Sequence, residues 1–499
     1  MSTPFETLTT LLAEVADLRH AAELLEWDER VYMPAGGAEV HGEMQATLRR
    51  LAHEKFTSDA VGQALDDLKR TQGSGNPDSR ESRIVAVTAR DYDKATKVPP
   101  RYVAEHALAV SAAQHAWGEA RAASDFAAFL PHLQRVVELK REYVSFFPPA
   151  AHPYDTLLDD YEPGMTTADV QSIFGVLRKR QVALIGALAQ RPQVDDSFLR
   201  VSYAERDLWD FAVEVITAFG FDWTHGRQDK SAHPFATSFG SEDVRITTRW
   251  VEDQPLGLLF GTMHEAGHAL YEQGVDRIHH RTQLEGGASL GVHESQSRLW
   301  ENLVGRSLPF WEHFYPMLQA RCRSQLAGVT VEQFYKAINK VERSLIRVEA
   351  DEATYNLHVM LRLELEIALI EGSLAVKDLP DAWNGRVEEY LGIRPPSDKL
   401  GVLQDIHWSA GLFGYFATYA LGNLIAAQLW EKFEALEPSR DGQIGRGDFS
   451  RLRAWLKSEL HQHGRMYQPK ELVARITGGP IDPEPYLRYL EGKYTAVYA

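Results

Sequence analysis

Residues 255–274 read PLGLLFGTMHEAGHALYEQG and carry one helical signal, with Pro255 suited to the start and Gly274 to the C-cap. Leu256, Leu259, Phe260, Met263, Gly267 and Leu270 supply apolar or small contact positions along it. His264 and His268 fall one turn apart on the same face, where two imidazoles can bind one tetrahedral ion. Glu265 follows the first of them, placed to act as base toward a water rather than as a ligand. This is the HExxH arrangement. Two surface histidines one turn apart are the bland alternative, and the apolar character of the helix argues against it.

A catalytic zinc-type site needs three protein ligands and one open position. The continuation with Gly and His downstream is excluded, because positions 271 and 274 are Tyr271 and Gly274. A carboxylate from a second helix is the remaining source. After the Glu-Gly-Gly break at 285–287, SLGVHESQSRLWENLVGR resumes helical spacing, and Glu294 lies 26 residues beyond His268. That is enough chain to finish one helix, turn, and pack a second antiparallel to it. Glu301, two turns further, is a second candidate as ligand or as partner for a histidine N–H. His293, His279 and His280 are rivals, the last two expected to be exposed in the connection. One divalent metal per chain is expected, zinc first, although two imidazoles and a carboxylate accept zinc, cobalt or manganese and availability decides among them.

Upstream, Ser238–Trp250 (SFGSEDVRITTRW) departs from helical period, Val244 and Ile246 alternating with Arg245 and Thr247 as in a short strand. Its edge could accept an extended peptide as one more strand. Elsewhere apolar residues recur at three and four residue spacing, as at Leu8, Leu11, Leu12, Val15, Leu18 and Ala22, so the fold is expected to be mainly α. Breaks are expected at Gly73–Pro77, Pro148–Pro153, near Pro192, at Asp229–Gly240, near Pro395, at Glu437–Gly447 and at Gly478–Pro485. They have the length of helix connections, so one domain is expected over 1–499, a helical part of about 1–220 sharing its core with a catalytic part of about 221–499.

The net charge of −17 argues against nucleic acid or an anionic membrane as partner. Cys322 is the only cysteine, which excludes an intrachain disulfide and suits a reducing compartment. The first residues show no signal-peptide pattern and no apolar run is long enough to span a bilayer, so the cytoplasm is expected.

Six spaced motifs resemble the carboxypeptidase Taq family of metallocarboxypeptidases: HPF at 233–235, DVRIT at 243–247, HEAGH at 264–268, HES at 293–295, IRVEAD at 346–351 and GVLQDIHW at 401–408. LLEWDERVYMPAGG at 24–37 and RLWENLVGRS at 298–307 also look like family sequence, so the resemblance covers nearly the whole chain. It implies a helical fold with a deep active-site groove and a small β-sheet beside the HExxH helix. It also implies a homodimer and release of single C-terminal residues from peptides with broad preference. One departure is Ala417, where the family pattern suggests proline.

Peptide hydrolysis further needs a donor for the oxyanion, and analogy with related oligopeptidases points to Tyr419 and His407, with Tyr415 beside them in an expected helical segment after Trp408. The competing reading is that both tyrosines are core aromatics with a polar tip. A terminal carboxylate is naturally held by a guanidinium, first Arg347 and then Arg245, with structural salt bridges to Asp351 or Asp243 as the competing reading. His233 is expected to make a structural hydrogen bond near the groove, and Asp405 and Gln404 to position His407. The rival functions are an endo- or dipeptidyl peptidase with the same metal chemistry, and a non-catalytic helical peptide-binding protein.

Overall fold

The computed structural model describes residues 3–71 and 76–499, so positions 73–75 of the expected GSGNP break lie outside the described residues. The first long helix, Pro4–Val31, starts where Thr3 and Glu6 cap each other, at 3.2 Å and 2.8 Å, with Pro4 in the first turn. Leu8, Leu12, Val15 and Ala22 are buried along it. The first three pack with Phe56, Val61, Leu65, Ile84, Val85 and Leu284 as one apolar cluster. A second and larger cluster draws on residues from Ala113 to Tyr498. The molecule is mainly helical, and among the described residues no helix is long and apolar enough to cross a membrane.

One small sheet accompanies the helices, and it holds more strands than the periodicity predicts. β1 (Gly226–Lys230), β2 (Ala236–Ser238) and β3 (Val244–Thr248) stand in the order β1-β3-β2, β1 parallel and β2 antiparallel to β3. Val244 and Ile246 are buried as expected, but Thr247 and Thr248 are buried too, which ends the alternation. Their hydroxyls are occupied: Phe235 N donates to Thr247 Oγ1 at 3.0 Å, and Thr248 Oγ1 donates to Leu258 O at 3.2 Å. The expected break at Asp229–Gly240 is therefore corrected, since it contains the end of β1 and all of β2. GRQDK and ATS have no apolar face of their own, and only pairing with β3 makes them strands.

Three further local expectations are corrected. Gly274 is the last residue of the helix Leu256–Gly274 rather than its C-cap, which is Val275; a Cβ on Gly274 would lie 2.6 Å from His461, so a close contact demands the glycine. Residues 401–416 form successive turns rather than a helix, and the helix Ala417–Leu436 begins after Tyr415. Ala417 thus occupies the first helical position, whose N–H has no intrahelical acceptor, which is why alanine serves where proline would also fit. Finally, the segment after Ser289 stays helical to Val304 but not as one α-helix: it is α over Leu290–Arg298 and widens into a π-turn at Leu299–Val304.

Candidate metal centre

The helices Leu256–Gly274 and Leu290–Arg298 meet through Gly267. A Cβ on it would stand 2.6 Å from both Gln296 O and Ser297 Cα, so this approach requires glycine at the contact. The second helix is started by Ser289, whose hydroxyl accepts from Val292 N at 3.1 Å. Close packing brings the Nε2 atoms of His264 and His268 each to 3.5 Å from Glu294 Oε2. One ligand atom from each of the three residues lies within 4.8 Å of the others. Three ligands at 2.0–2.2 Å around a tetrahedral ion stand roughly 3.4 Å apart, so this donor set fits a divalent metal.

The outer nitrogens and oxygens are also occupied. His264 Nδ1 lies 2.9 Å from Glu301 Oε2, the carboxylate carried on the π-turn. Such widened turns concentrate at functional sites. His268 Nδ1 lies 2.6 Å from His293 Nδ1, and His293 Nε2 lies 2.7 Å from Glu272 Oε1. His293 therefore stands behind His268 rather than beside the three donors. Arg298 Nε donates to Glu294 Oε1 at 2.7 Å, and its NH1 donates to Glu301 Oε2 at 3.3 Å, so one guanidinium fixes both carboxylates. Of the other rivals, His280 is exposed as expected, but His279 is buried at 1% exposure. That correction follows from its place in a short turn whose N–H groups bond back to Asp276.

Glu301→Gln is expected to weaken metal binding about 10- to 100-fold, because the ring of His264 would lose the charged acceptor that holds its orientation. Competition with a chelating dye measures this, and an unchanged dissociation constant would assign the ring's orientation to packing alone.

The carboxyls here are held in different states. Burial pushes Glu265 up to about 7, with Glu294 and Glu301 adding to the rise and His264 opposing it. Glu301 is brought down to about 2: burial opposes ionisation, but His264 and Arg298 outweigh it. Glu294 is held well below the usual carboxylate range by Arg298 and His264 against the same burial. Burial lowers His268 to about 4, leaving its lone pair free. Burial also works against charge on His264, yet Glu294 and Glu301 carry it up to about 10, and the same two carboxylates would attract a divalent cation. A pair of ionised acids beside one poised near neutrality separates ligand from base.

A line of contacts joins this cluster to the other predicted residues. Arg298 lies over the ring of Tyr355 at 4.5 Å, and the Tyr355 hydroxyl accepts from Arg347 NH1 at 2.9 Å. Arg347 in turn lies over Tyr419 at 5.0 Å, and Tyr419 OH is 3.3 Å from His407 Nε2. Tyr415 packs edge-on against Tyr419 at 5.3 Å. Burial raises the pKa of both tyrosines, which keeps their protons on. Burial lowers His407 to about 4, Asp405 opposing and Arg347 and Arg362 adding, so its ring is neutral.

Arg347 is 5% exposed and pairs with Asp405, at 3.1 Å and 2.9 Å, rather than with Asp351. Asp351 instead caps the helix Glu352–Glu371, accepting from Ala353 N at 2.9 Å and Thr354 N at 3.1 Å. Asp405 also accepts from Arg362 Nε at 2.6 Å, and Gln404 Oε1 accepts from Arg347 N at 2.9 Å and Arg362 NH2 at 2.6 Å. The two residues expected to position His407 are thus spent chiefly on the arginines; Asp405 stays 3.8 Å from His407 Nδ1. Arg245 pairs with Asp243 at 2.8 Å and lies 4.4 Å over Trp27. His233 is exposed; its carbonyl accepts a hydrogen bond from Ser231 Oγ at 2.6 Å, while among the described residues its ring makes none.

Sequence reasoning missed Glu272, Arg298, Tyr355 and Arg362. Glu272 and Arg298 had a signal, since each lies four residues after a proposed ligand and so on its face. Tyr355 and Arg362 had none, because they reach the site across the fold.

Comparison with known proteins agrees with this geometry. A family model described as "Carboxypeptidase Taq (M32) metallopeptidase" matches residues 7–494. Thermostable carboxypeptidase 1 of Thermus thermophilus is 42% identical, covering 99% of each chain, and the protein of that name from Pyrococcus furiosus is 37% identical, covering 98% of each. The crystal structure of an M32 carboxypeptidase from Deinococcus radiodurans R1 superposes with a TM-score of 0.97 at 43% identity over 100% of both chains.

Proposed function

Because the chain belongs to the carboxypeptidase Taq (M32) family of metallopeptidases, we propose that it releases single C-terminal residues from peptides with broad preference, using His264, His268 and Glu294 to hold the metal. It is a peptide-processing metallocarboxypeptidase with a divalent metal. The observation carrying the finer reading is the 3.5 Å separation of Glu294 Oε2 from each imidazole, with Glu265 next to the first of them in the chain.

When bound, the ion supplies Lewis acidity, lowering the pKa of water and polarising a carbonyl. Glu265, poised near neutral pH, takes the proton of the attacking water and returns it to the leaving amine. Tyr419 and His407, with Tyr415 beside them, donate to the oxyanion, a role supported by the protons that burial keeps on both tyrosines and by the contacts among the three rings. Arg347 is the reading's partner for the substrate carboxylate, with Arg245 and His233 further along the groove. Three of its five N–H bonds are engaged by Asp405 and Tyr355, which orients the guanidinium and leaves two free among the described residues. The substrate backbone has an edge to join. Phe235 O and Phe239 N face β3, so the amides and carbonyls of Ala236 and Ser238 point outward.

Two imidazoles and a carboxylate accept zinc, cobalt or manganese, and metal availability decides among them, with zinc the first choice of this reading. We read the chain as one domain, supported by a core cluster that crosses residue 220, and as cytoplasmic, supported by its single cysteine. The homodimer rests on family resemblance alone.

Mass spectrometry of products from one peptide in free-acid and C-amidated forms tests the reading. The free acid is expected to shorten one residue at a time while the amide stays intact. Equal cleavage of both would assign an endo- or dipeptidyl activity instead.

A further inference from the structure

Behind the proposed metal ligands runs a segment that no motif above includes. The helix Pro153–Leu158 and the turn after it, through Glu162, touch two separate parts of the site. At the first, Glu162 is fully buried and accepts a hydrogen bond from Gly291 N, while Tyr161 O accepts from Leu290 N at 3.3 Å. These amides are at the start of the helix that carries Glu294, where N–H groups lack intrahelical partners and a side-chain oxygen can accept from them. At the second, the ring of Tyr161 meets that of Tyr415 edge to face, at 5.3 Å and 86°.

The turns carrying Tyr415 rest on the same segment. Gly414 has φ of 97°, and a Cβ on it would stand 2.3 Å from Leu157 O, so the backbone of one lies directly against the other. Glu366 ties them from beneath: its carboxylate accepts from Tyr154 OH at 2.6 Å, Gly414 N at 3.0 Å and Trp408 Nε1 at 2.8 Å. Among the described residues neither Tyr161 nor Glu162 hydrogen bonds His264, His268 or Glu294. One continuous piece of backbone thus braces both the helix bearing a ligand and the loop bearing a tyrosine donor.

We propose that Tyr161 and Glu162 are positioning residues for the hydrolytic site, Glu162 setting the start of the Glu294 helix and Tyr161 setting the ring of Tyr415. The proposal rests on the functional reading above, in which Glu294 is a ligand and Tyr415 belongs to the oxyanion donors. Glu162 acts as an acceptor, so an amide in its place should serve. Tyr161 acts through its ring, because among the described residues its hydroxyl makes no hydrogen bond.

Four variants of the metal-loaded enzyme test this, with metal dissociation constant, kcat and KM measured separately. Glu162→Ala is expected to raise the dissociation constant about tenfold, the low end of what loss of a group bonded to a ligand costs, and Glu162→Gln to restore it. Tyr161→Leu is expected to lower kcat about tenfold with KM and metal content unchanged, and Tyr161→Phe to match the unmodified enzyme. If Glu162→Ala fails to fold, Glu162→Asp, whose oxygens fall short by one methylene, carries the same expectation. An unchanged dissociation constant in the folded Ala variant, no rescue by Gln, or full kcat in Tyr161→Leu would overturn the proposal. Glu294→Ala and Tyr415→Phe serve as references: metal retained in the first, or full kcat in the second, would mark failure of the underlying reading rather than of the positioning role.

Discussion

Glu265→Gln is expected to keep metal near one equivalent per chain while kcat falls about 10²–10⁴-fold, the usual contribution of a positioned acid–base group. The amide fills the same volume in a site only 7% exposed, so packing is preserved. It is no ligand in the reading, so the three donors remain. Among the described residues no protein group hydrogen bonds the Glu265 carboxyl, although Glu294 and Glu301 are each held by Arg298 and a histidine. A carboxyl buried without protein partners, and lifted to about 7 by that burial, has no structural bond to lose. Single-turnover kinetics on the metal-loaded variant make the measurement, and retained turnover would exclude Glu265 as base.

Glu294→Ala is expected to act on the metal itself. Loss of an outer partner already costs 10- to 100-fold in affinity, so loss of a ligand should cost about 100-fold or more, and dialysis against a chelator should empty the variant while the unmodified chain stays loaded. The imidazoles would keep their outer partners, Glu301 for His264 and His293 for His268, so the rings should remain in place. Two nitrogens without the carboxylate leave the ion under-coordinated. Unchanged metal content after dialysis would transfer the third position to Glu301 or to a histidine.

These two variants separate the functions of carboxylates that look alike in sequence. Their environments differ through Arg298, which bonds Glu294 and Glu301, whereas Glu265 has no such bond. From the chain alone, Glu294 is recognisable because 26 residues suffice to bring a second helix back against the first. The identity of its clamp was within reach as well, at helical spacing. The relay His268–His293–Glu272 was only half legible: His293 stood out as a histidine near the site, but not as a group behind His268.

What the sequence by itself determined was everything with a short repeat. Helices came from three- and four-residue spacing, the paired imidazoles from one turn, and β3 from alternation at Val244 and Ile246, because backbone geometry writes these periods into neighbouring residues. Tertiary structure decided what has no period. β1 and β2 exist only against β3, the turns of 401–416 are held by Glu366 and the 153–162 segment, and Arg347 takes Asp405 from 58 positions away although Asp351 is four residues off. Asp351 was unavailable because its oxygens cap the Glu352–Glu371 helix, and such competition for a buried charge is settled by distance in space, which spacing along the chain does not record.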